Sequence, residues 1–139
     1  MKKQVFEITL RWGDLDLLGH VNNLAIVGYF QEARIRFTEM LGIPPLPGMH
    51  SGPIEAATNI QFSRQLHYPG NITLSSYVEK IGNTSFTLHH TIIDSEGKVA
   101  VSGTEVIVYF DFVNQCKIPL TEALREKLQK FLPDAGTKE

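Results

Sequence analysis

The residues of this chain best suited to chemistry lie close together near its start. In the run Asp14-Leu15-Asp16-Leu17-Leu18-Gly19-His20-Val21-Asn22-Asn23, two carboxylates stand two positions apart, and a glycine, a histidine and two asparagines follow. A carboxylate can attack an electrophilic carbon or take a proton from water, and a nearby histidine can orient that water or move a proton. The same residue types also build polar turns and cap helices. The run is therefore either a capped turn or a reactive centre. As a metal site it falls short, because Asp16 and His20 alone, two ligand types without further partners, are too few.

The other polar candidates have simpler readings. Asp14 reads more readily as a turn former, or as a partner for Arg11 or Arg34, than as a catalyst. Glu32 and Arg36 are four apart and make a surface ion pair if they share a helix. His89 and His90 are adjacent, so in a strand they point to opposite faces and cannot act as one site.

The elements that must hold the run in place follow from periodicity. Gln4 to Arg11 alternates and reads as a strand ending just before it. From about Leu24 to Leu41 the period changes: Ile26, Phe30, Ala33, Phe37 and Met40 or Leu41 recur at helical steps. Asn22 or Asn23 can cap that helix, and Gly42 sits where a left-handed C-terminal cap belongs. Pro-Pro-Leu-Pro-Gly at 44–48 predicts a loop. A strand is expected around Asn59 to Leu66, then three more over Ile72–Ile81, Ser85–Asp94 and Lys98–Asp111, joined by the turns at Gly82-Asn83 and Ser95-Glu96-Gly97. Thr121 to Leu132 predicts a short terminal helix with a threonine cap. One long apolar helix beside a five-stranded, mainly antiparallel sheet is an α+β arrangement, packed most economically by wrapping the sheet around the helix.

Bulk properties narrow the field. At 139 residues, with 42% hydrophobic and 20% charged residues, the chain fits one folded domain over 1–139 with no linker or repeat. A net charge of -2 without a Lys/Arg run argues against nucleic acid as a partner. No apolar stretch approaches a membrane span, and no apolar signal core follows Met1-Lys2-Lys3. Cys116 is the sole cysteine, which leaves no intrachain disulfide or thiolate cluster and makes a reducing cytoplasm the expected compartment.

Residues 11–34, Arg-Trp-Gly-Asp-Leu-Asp-Leu-Leu-Gly-His-Val-Asn-Asn-Leu-Ala-Ile-Val-Gly-Tyr-Phe-Gln-Glu-Ala-Arg, resemble the signature of the hotdog-fold acyl-CoA thioesterases, closest to the 4-hydroxybenzoyl-CoA thioesterase type. In that signature an aspartate after the first strand precedes Gly-His-Val-Asn-Asn, with a tyrosine and an arginine later on the helix; here these are Asp16, Gly19 to Asn23, Tyr29 and Arg34. Weaker likenesses lie in the Arg64–Val78 and Val106–Asp111 segments, so the resemblance spans roughly residues 4–112. It implies the hotdog fold, dimers that join their sheets edge to edge, often tetramers of them, and sites shared between subunits. It implies no metal or organic cofactor, since coenzyme A is part of the substrate.

The resemblance assigns Asp16 as nucleophile or general base in hydrolysis of an acyl-CoA to a free acid and coenzyme A. The unpaired amides and dipole at a helix start suit the oxyanion of an attacked thioester, a contribution typically on the order of 3 kcal/mol. On that argument the Asn23 N–H, with Asn22 beside it, holds the thioester oxygen, and His20 assists. Gly19, Asn22 and Tyr29 are expected to line the substrate site, although Tyr29 and Phe30 also read as core or dimer contacts. Relatives place basic residues at the turn between strands three and four, where this chain has Gly82, Asn83 and Thr84. Arg64 and Lys80 are the candidates left for the coenzyme A phosphates, and Asn71 stands where relatives commonly carry an aspartate. These departures leave acyl carrier protein open beside coenzyme A as the carrier. Two rivals remain: an enoyl-thioester hydratase or dehydratase on the same fold, and a module that binds acyl-CoA without turnover.

Overall fold

The computed structural model of the chain describes residues 2–44 and 46–134. Pro45, within the proline-rich loop, Met1 and the last five residues lie outside the described residues. The elements run β1 (Gln4–Thr9), a 3-10 turn (Trp12–Asp14), α1 (Asn23–Met40), β2 (Ser51–Phe62), β3 (Asn71–Ile81), β4 (Ser85–Ile93), β5 (Val99–Asp111), β6 (Cys116–Lys117) and α2 (Glu122–Gln129). The sheet has the order β1-β3-β4-β5-β2, antiparallel at every pairing, and curls around α1 as a hotdog fold. Five long strands were expected; the sixth, β6, is a two-residue strand pairing with Phe110 and Asp111 of β5.

α1 forms where its apolar period predicts. Ile26, Tyr29, Phe30, Ala33 and Phe37 are its buried face, set against Ile72, Leu74 and Val78 of β3, Leu88 and Ile92 of β4, and Val101 and Ile107 of β5. Burying one such side chain stabilises by about 1.5–3 kcal/mol. The helix ends as Gly42 predicts: Gly42 has φ +82, its N–H reaches Glu39 O, and the Ile43 N–H reaches Thr38 O, the paired bonds of a Schellman cap. Gly103 lets sheet and helix approach. A Cβ there would run into the carbonyl oxygen of Asn59 and stand 2.9 Å from Cε2 of Phe30. α2, capped by the Thr121 hydroxyl accepting from the Leu124 N–H, closes the far end with Leu124 and Leu128 around Phe37.

β2 departs from the expected Asn59 to Leu66. It begins eight residues earlier, at Ser51, and stops at Phe62. As the outer strand it pairs only with β5 within the sheet order, so Pro53, which has no N–H, is tolerated. The register shifts between Glu55 and Ala57, and residues 55–59 are exposed. Beyond Phe62 the chain leaves the sheet: the Ser63 and Arg64 amides both donate to Ala100 O. Leu66 is buried for a different reason, described next.

Candidate active site

The connection from β1 to α1 is held by its own backbone. Leu10 N–H donates to Gly70 O as β1 ends, and the 3-10 turn closes through Asp14 N–H to Arg11 O and Leu15 N–H to Trp12 O. Leu15 and Val21 then face each other as a bridge, with the Asp16 N–H donating to His20 O and the Gly19 N–H to Asp16 O. Gly19 takes φ +83 to make the return, a conformation in which an L side chain is strained although the space beside it is open. From outside the loop, Leu66 O accepts from Val21 N–H at 2.9 Å, and the Leu66 side chain, though in no strand, is buried in the core cluster with Leu10, Val21 and Ile72.

The carboxylate of Asp16 is held by this loop. Its Oδ1 accepts from the Leu18 N–H at 2.8 Å and the His20 N–H at 3.4 Å. Asp16 is exposed and lines an open depression of about 650 Å³ with Trp12, Leu15, Leu17, Gly19 and Asn22. Asn22 is the N-cap of α1: its Oδ1 accepts from the Leu24 N–H at 2.8 Å. The exposed Asn23 opens the helix, so its N–H is one of the first-turn donors that have no intrahelical acceptor. His20 is half-buried, bridged to His67, with the two rings 5.2 Å apart edge to face. Asp16, Gly19 and Asn22 thus line one depression at the helix start, with Asn23 next in the chain and His20 turned against His67.

The other expected site residues lie elsewhere. Tyr29 is buried, and its hydroxyl donates to Asp14 Oδ2 at 2.7 Å, so it belongs to the support of the loop rather than to its open face. Burial, then acceptance by Asp14, push its pKa up, so it remains a donor. Asp14 also pairs with Arg11 at 3.2 Å, as one of its sequence readings anticipates, while Arg34 goes to Glu55 and Glu105 instead. Arg64 lines a neighbouring depression of about 390 Å³ with His67, Asn71 and Asp94, and its Nε donates to Asp94 Oδ2 at 3.2 Å. The backbone amide of Lys98 above all, with those of Glu96 and the Arg64 guanidinium, holds the Asp94 carboxyl below the usual range. Lys80 sits at the opposite end of β3, nine residues from Asn71, or roughly 30 Å along one strand. Within one subunit it is not part of this surface. Glu32 pairs with Arg36 at 2.7 Å.

A polar chain in the core escaped the sequence reading. Ser76 Oγ lies 2.7 Å from His90 Nδ1, His90 Nε2 lies 2.8 Å from Glu105 Oε1, and Arg34 Nη1 lies 2.6 Å from Glu105 Oε2 and also bonds Glu55. Burial lowers the His90 pKa to about 3, so the imidazole is neutral. With a carboxylate facing Nε2, that nitrogen carries the proton and Nδ1 accepts from Ser76. The serine–histidine–acid line has the residue types of a nucleophilic triad, but Ser76, His90 and Glu105 are no more than 2% exposed and no substrate carbonyl reaches them. It is a satisfied core network.

Among the described residues no group of three or more His, Cys, Asp or Glu side chains could hold a metal ion. Nor is any helix among them long and apolar enough to cross a membrane.

Comparison with known proteins bears on the family and the fold. The profile of the Thioesterase-like superfamily matches residues 10–128. A predicted thioesterase from Bacillus stearothermophilus superimposes with a TM-score of 0.86 at 26% identity, over 95% of this chain and 98% of that one. A thioesterase from Thermus thermophilus, solved with coenzyme A and Zn, gives 0.76 at 26% identity over 90% and 96%. A gentisyl-coenzyme A thioesterase gives 0.78 at 25% identity over 88% and 99%.

Proposed function

Because the chain belongs to the Thioesterase-like superfamily and is a thioester hydrolase, we propose that it cleaves an acyl-CoA to a carboxylic acid and coenzyme A, with Asp16 as the acid that does the work. The observation that carries this is the meeting of an exposed carboxylate and a helix start on one loop closed by the Leu15–Val21 bridge. Oδ1 of Asp16 is engaged by the Leu18 and His20 amides, so Oδ2 attacks the thioester carbonyl or takes a proton from the attacking water. The Asn23 N–H receives the oxyanion, in the direction favoured by the helix dipole. If Asp16 attacks, the tetrahedral adduct expels the coenzyme A thiolate and the resulting mixed anhydride is hydrolysed by water; if it acts as base, water adds to the carbonyl, the adduct expels the thiolate, and the proton held by Asp16 passes to the sulfur. His20 orients the water, and Gly19 and Asn22 line the approach.

The apolar wall of Trp12, Leu15 and Leu17 suits the acyl part. Arg64, beside it, is the candidate for a coenzyme A phosphate, and Lys80 can serve only from another subunit. Coenzyme A is favoured as carrier over acyl carrier protein because a relative binds it. On a single subunit the depression is open: Leu17 in its wall is 105% exposed, and the nearby Leu18 and Leu24 are exposed too. A homodimer or a homotetramer, with a second subunit completing the wall and sheets joined along the free edge of β2, is part of the proposal. So is a cytoplasmic location, which the lone free Cys116 thiol suits.

The test is hydrolysis of a panel of short, long and aromatic acyl-CoA esters by the protein and by Asp16→Asn and Asp16→Ala. Turnover that falls by about 100-fold or more in both variants is expected. Full rates in either variant, or water addition to an enoyl-CoA in place of hydrolysis, overturn it.

A further inference from the structure

The pair of aspartates two positions apart divides its labour. Asp16 is exposed and bonded only to amides of its own loop, whereas the Asp14 side chain is 11% exposed and engaged on both oxygens. Oδ2 accepts from the Tyr29 hydroxyl at 2.7 Å and Oδ1 from Arg11 Nη2 at 3.2 Å. The Asp14 carbonyl oxygen accepts as well, from the Asn22 N–H at 2.7 Å. One residue thus grips α1 twice: at its N-cap, and at Tyr29, seven positions on, which is about two turns down the helix. A single contact would fix where the loop meets the helix. Two contacts on one axis also fix the angle between them.

That angle matters to chemistry because Asp16 leaves the Asp14 turn on one side and the Asn23 amide leaves the N-cap on the other. Attack on a carbonyl held by that amide needs the carboxylate oxygen about 3–3.5 Å from the carbon, and misplacement by about 1 Å can cost a hundredfold. We propose that Asp14, through Tyr29 and the Asn22 amide, is a positioning residue that sets the spacing between the Asp16 carboxylate and the first amide of α1. Asp14 does not touch the substrate. Its bonds to Tyr29 and Arg11 occupy the oxygens a nucleophile would need. This rests on the reading of Asp16 and Asn23 given above.

Two readouts separate the clamp from that reading. The first is kcat and KM for the best acyl-CoA substrate in Tyr29→Phe, Asp14→Ala, the double variant and Asp14→Asn, each shown to be folded by circular dichroism. Tyr29→Phe and Asp14→Ala are expected to lose about tenfold in kcat with KM within about twofold. The double variant should fall no further than the worse single one, because both changes remove the same contact. Asp14→Asn, whose amide oxygen still accepts from Tyr29, should keep roughly half of kcat or more. The second readout is amide hydrogen exchange at Leu18 and His20, which should quicken in Tyr29→Phe and not in Asp14→Asn. Multiplying losses in the double variant, or an Asp14→Asn no better than Asp14→Ala, overturns the clamp. If the unaltered protein hydrolyses no thioester, the functional reading fails by itself, and unchanged exchange in Tyr29→Phe then decides against the clamp.

Discussion

His90 Nε2 lies 2.8 Å from Glu105 Oε1, with the histidine wholly out of solvent and the glutamate 2% exposed. The contact ties β4 to β5 under the Phe30 ring, whose centroid is 5.0 Å from that of His90. Glu105 is the hinge of the buried chain, since it also receives Arg34 at 2.6 Å.

Removing that hinge should be costly. Glu105→Ala leaves the buried His90 imidazole proton without its acceptor and the half-buried Arg34 with Glu55 alone, a change that typically destabilises by about 3–5 kcal/mol. Glu32→Ala breaks an exposed pair with Arg36 and should cost less than about 1 kcal/mol. Urea unfolding of the two variants side by side checks the contrast.

The network also sets a pH dependence. His90 has its pKa lowered by burial to about 3, so the unfolded chain binds a proton that the folded chain refuses. Its stabilising contribution is complete above about 6.5 and is lost as pH falls through the window down to about 3. Glu55 runs the other way. Although the residue is exposed as a whole, partial burial of its carboxyl, then the neighbouring Glu105, push it up to about 7, so its contribution is complete below 4.5 and fades as pH rises through 7. Urea midpoints from the His90 value of about 3 up past the Glu55 value of about 7 should show Glu55→Gln flattening the loss towards neutrality and His90→Gln flattening the loss on acidification.

Two glycines should respond in opposite senses to the same methyl group. Gly103→Ala forces a Cβ into the Asn59 carbonyl and the Phe30 ring and should destabilise by about 3 kcal/mol. Gly28, inside α1, has nothing within 4 Å of the position a Cβ would take, so Gly28→Ala should stabilise by about 1 kcal/mol. Thermal or urea unfolding of each distinguishes them.

Arg64→Ala bears on the carrier. If Arg64 meets a coenzyme A phosphate, KM should rise by about tenfold, with kcat little changed, and the rise should shrink in high salt. The comparison is steady-state kinetics on one acyl-CoA at two ionic strengths.

Much of the fold is legible because its signals are local. α1 shows itself through the spacing of Ile26, Phe30, Ala33 and Phe37, and its ends through Asn22 and Gly42. The alternation of Phe86, Leu88, His90 and Ile92 marks β4 and puts His90 inward. β2 resists because it runs along an edge, with Gly52 and Pro53 near its start, a register shift after Glu55 and exposed residues to Asn59. Alternation has little to report where neither face is fully covered. The site divides likewise. The Asp16 loop can be read because its bonds span two to four residues. Tyr29 with Asp14, or Ser76 with His90 and Glu105, cannot, since the partners stand 14 or 15 positions apart and meet only through tertiary packing. Lys80 shows the converse: residue type suggested a phosphate contact, and strand direction carries it to the end of β3 away from Asn71, where only another subunit's loop could meet it.

The two amides that hold Asp16 belong to Leu18 and His20, inside the same short turn. The acid's orientation is thereby insulated from most of what surrounds it. Side chains on the rim, such as Trp12 and Leu17, can be exchanged without altering the bonds that aim the carboxylate. A lineage could in this way acquire a taste for a new acid one rim residue at a time, its reactive group remaining in register throughout.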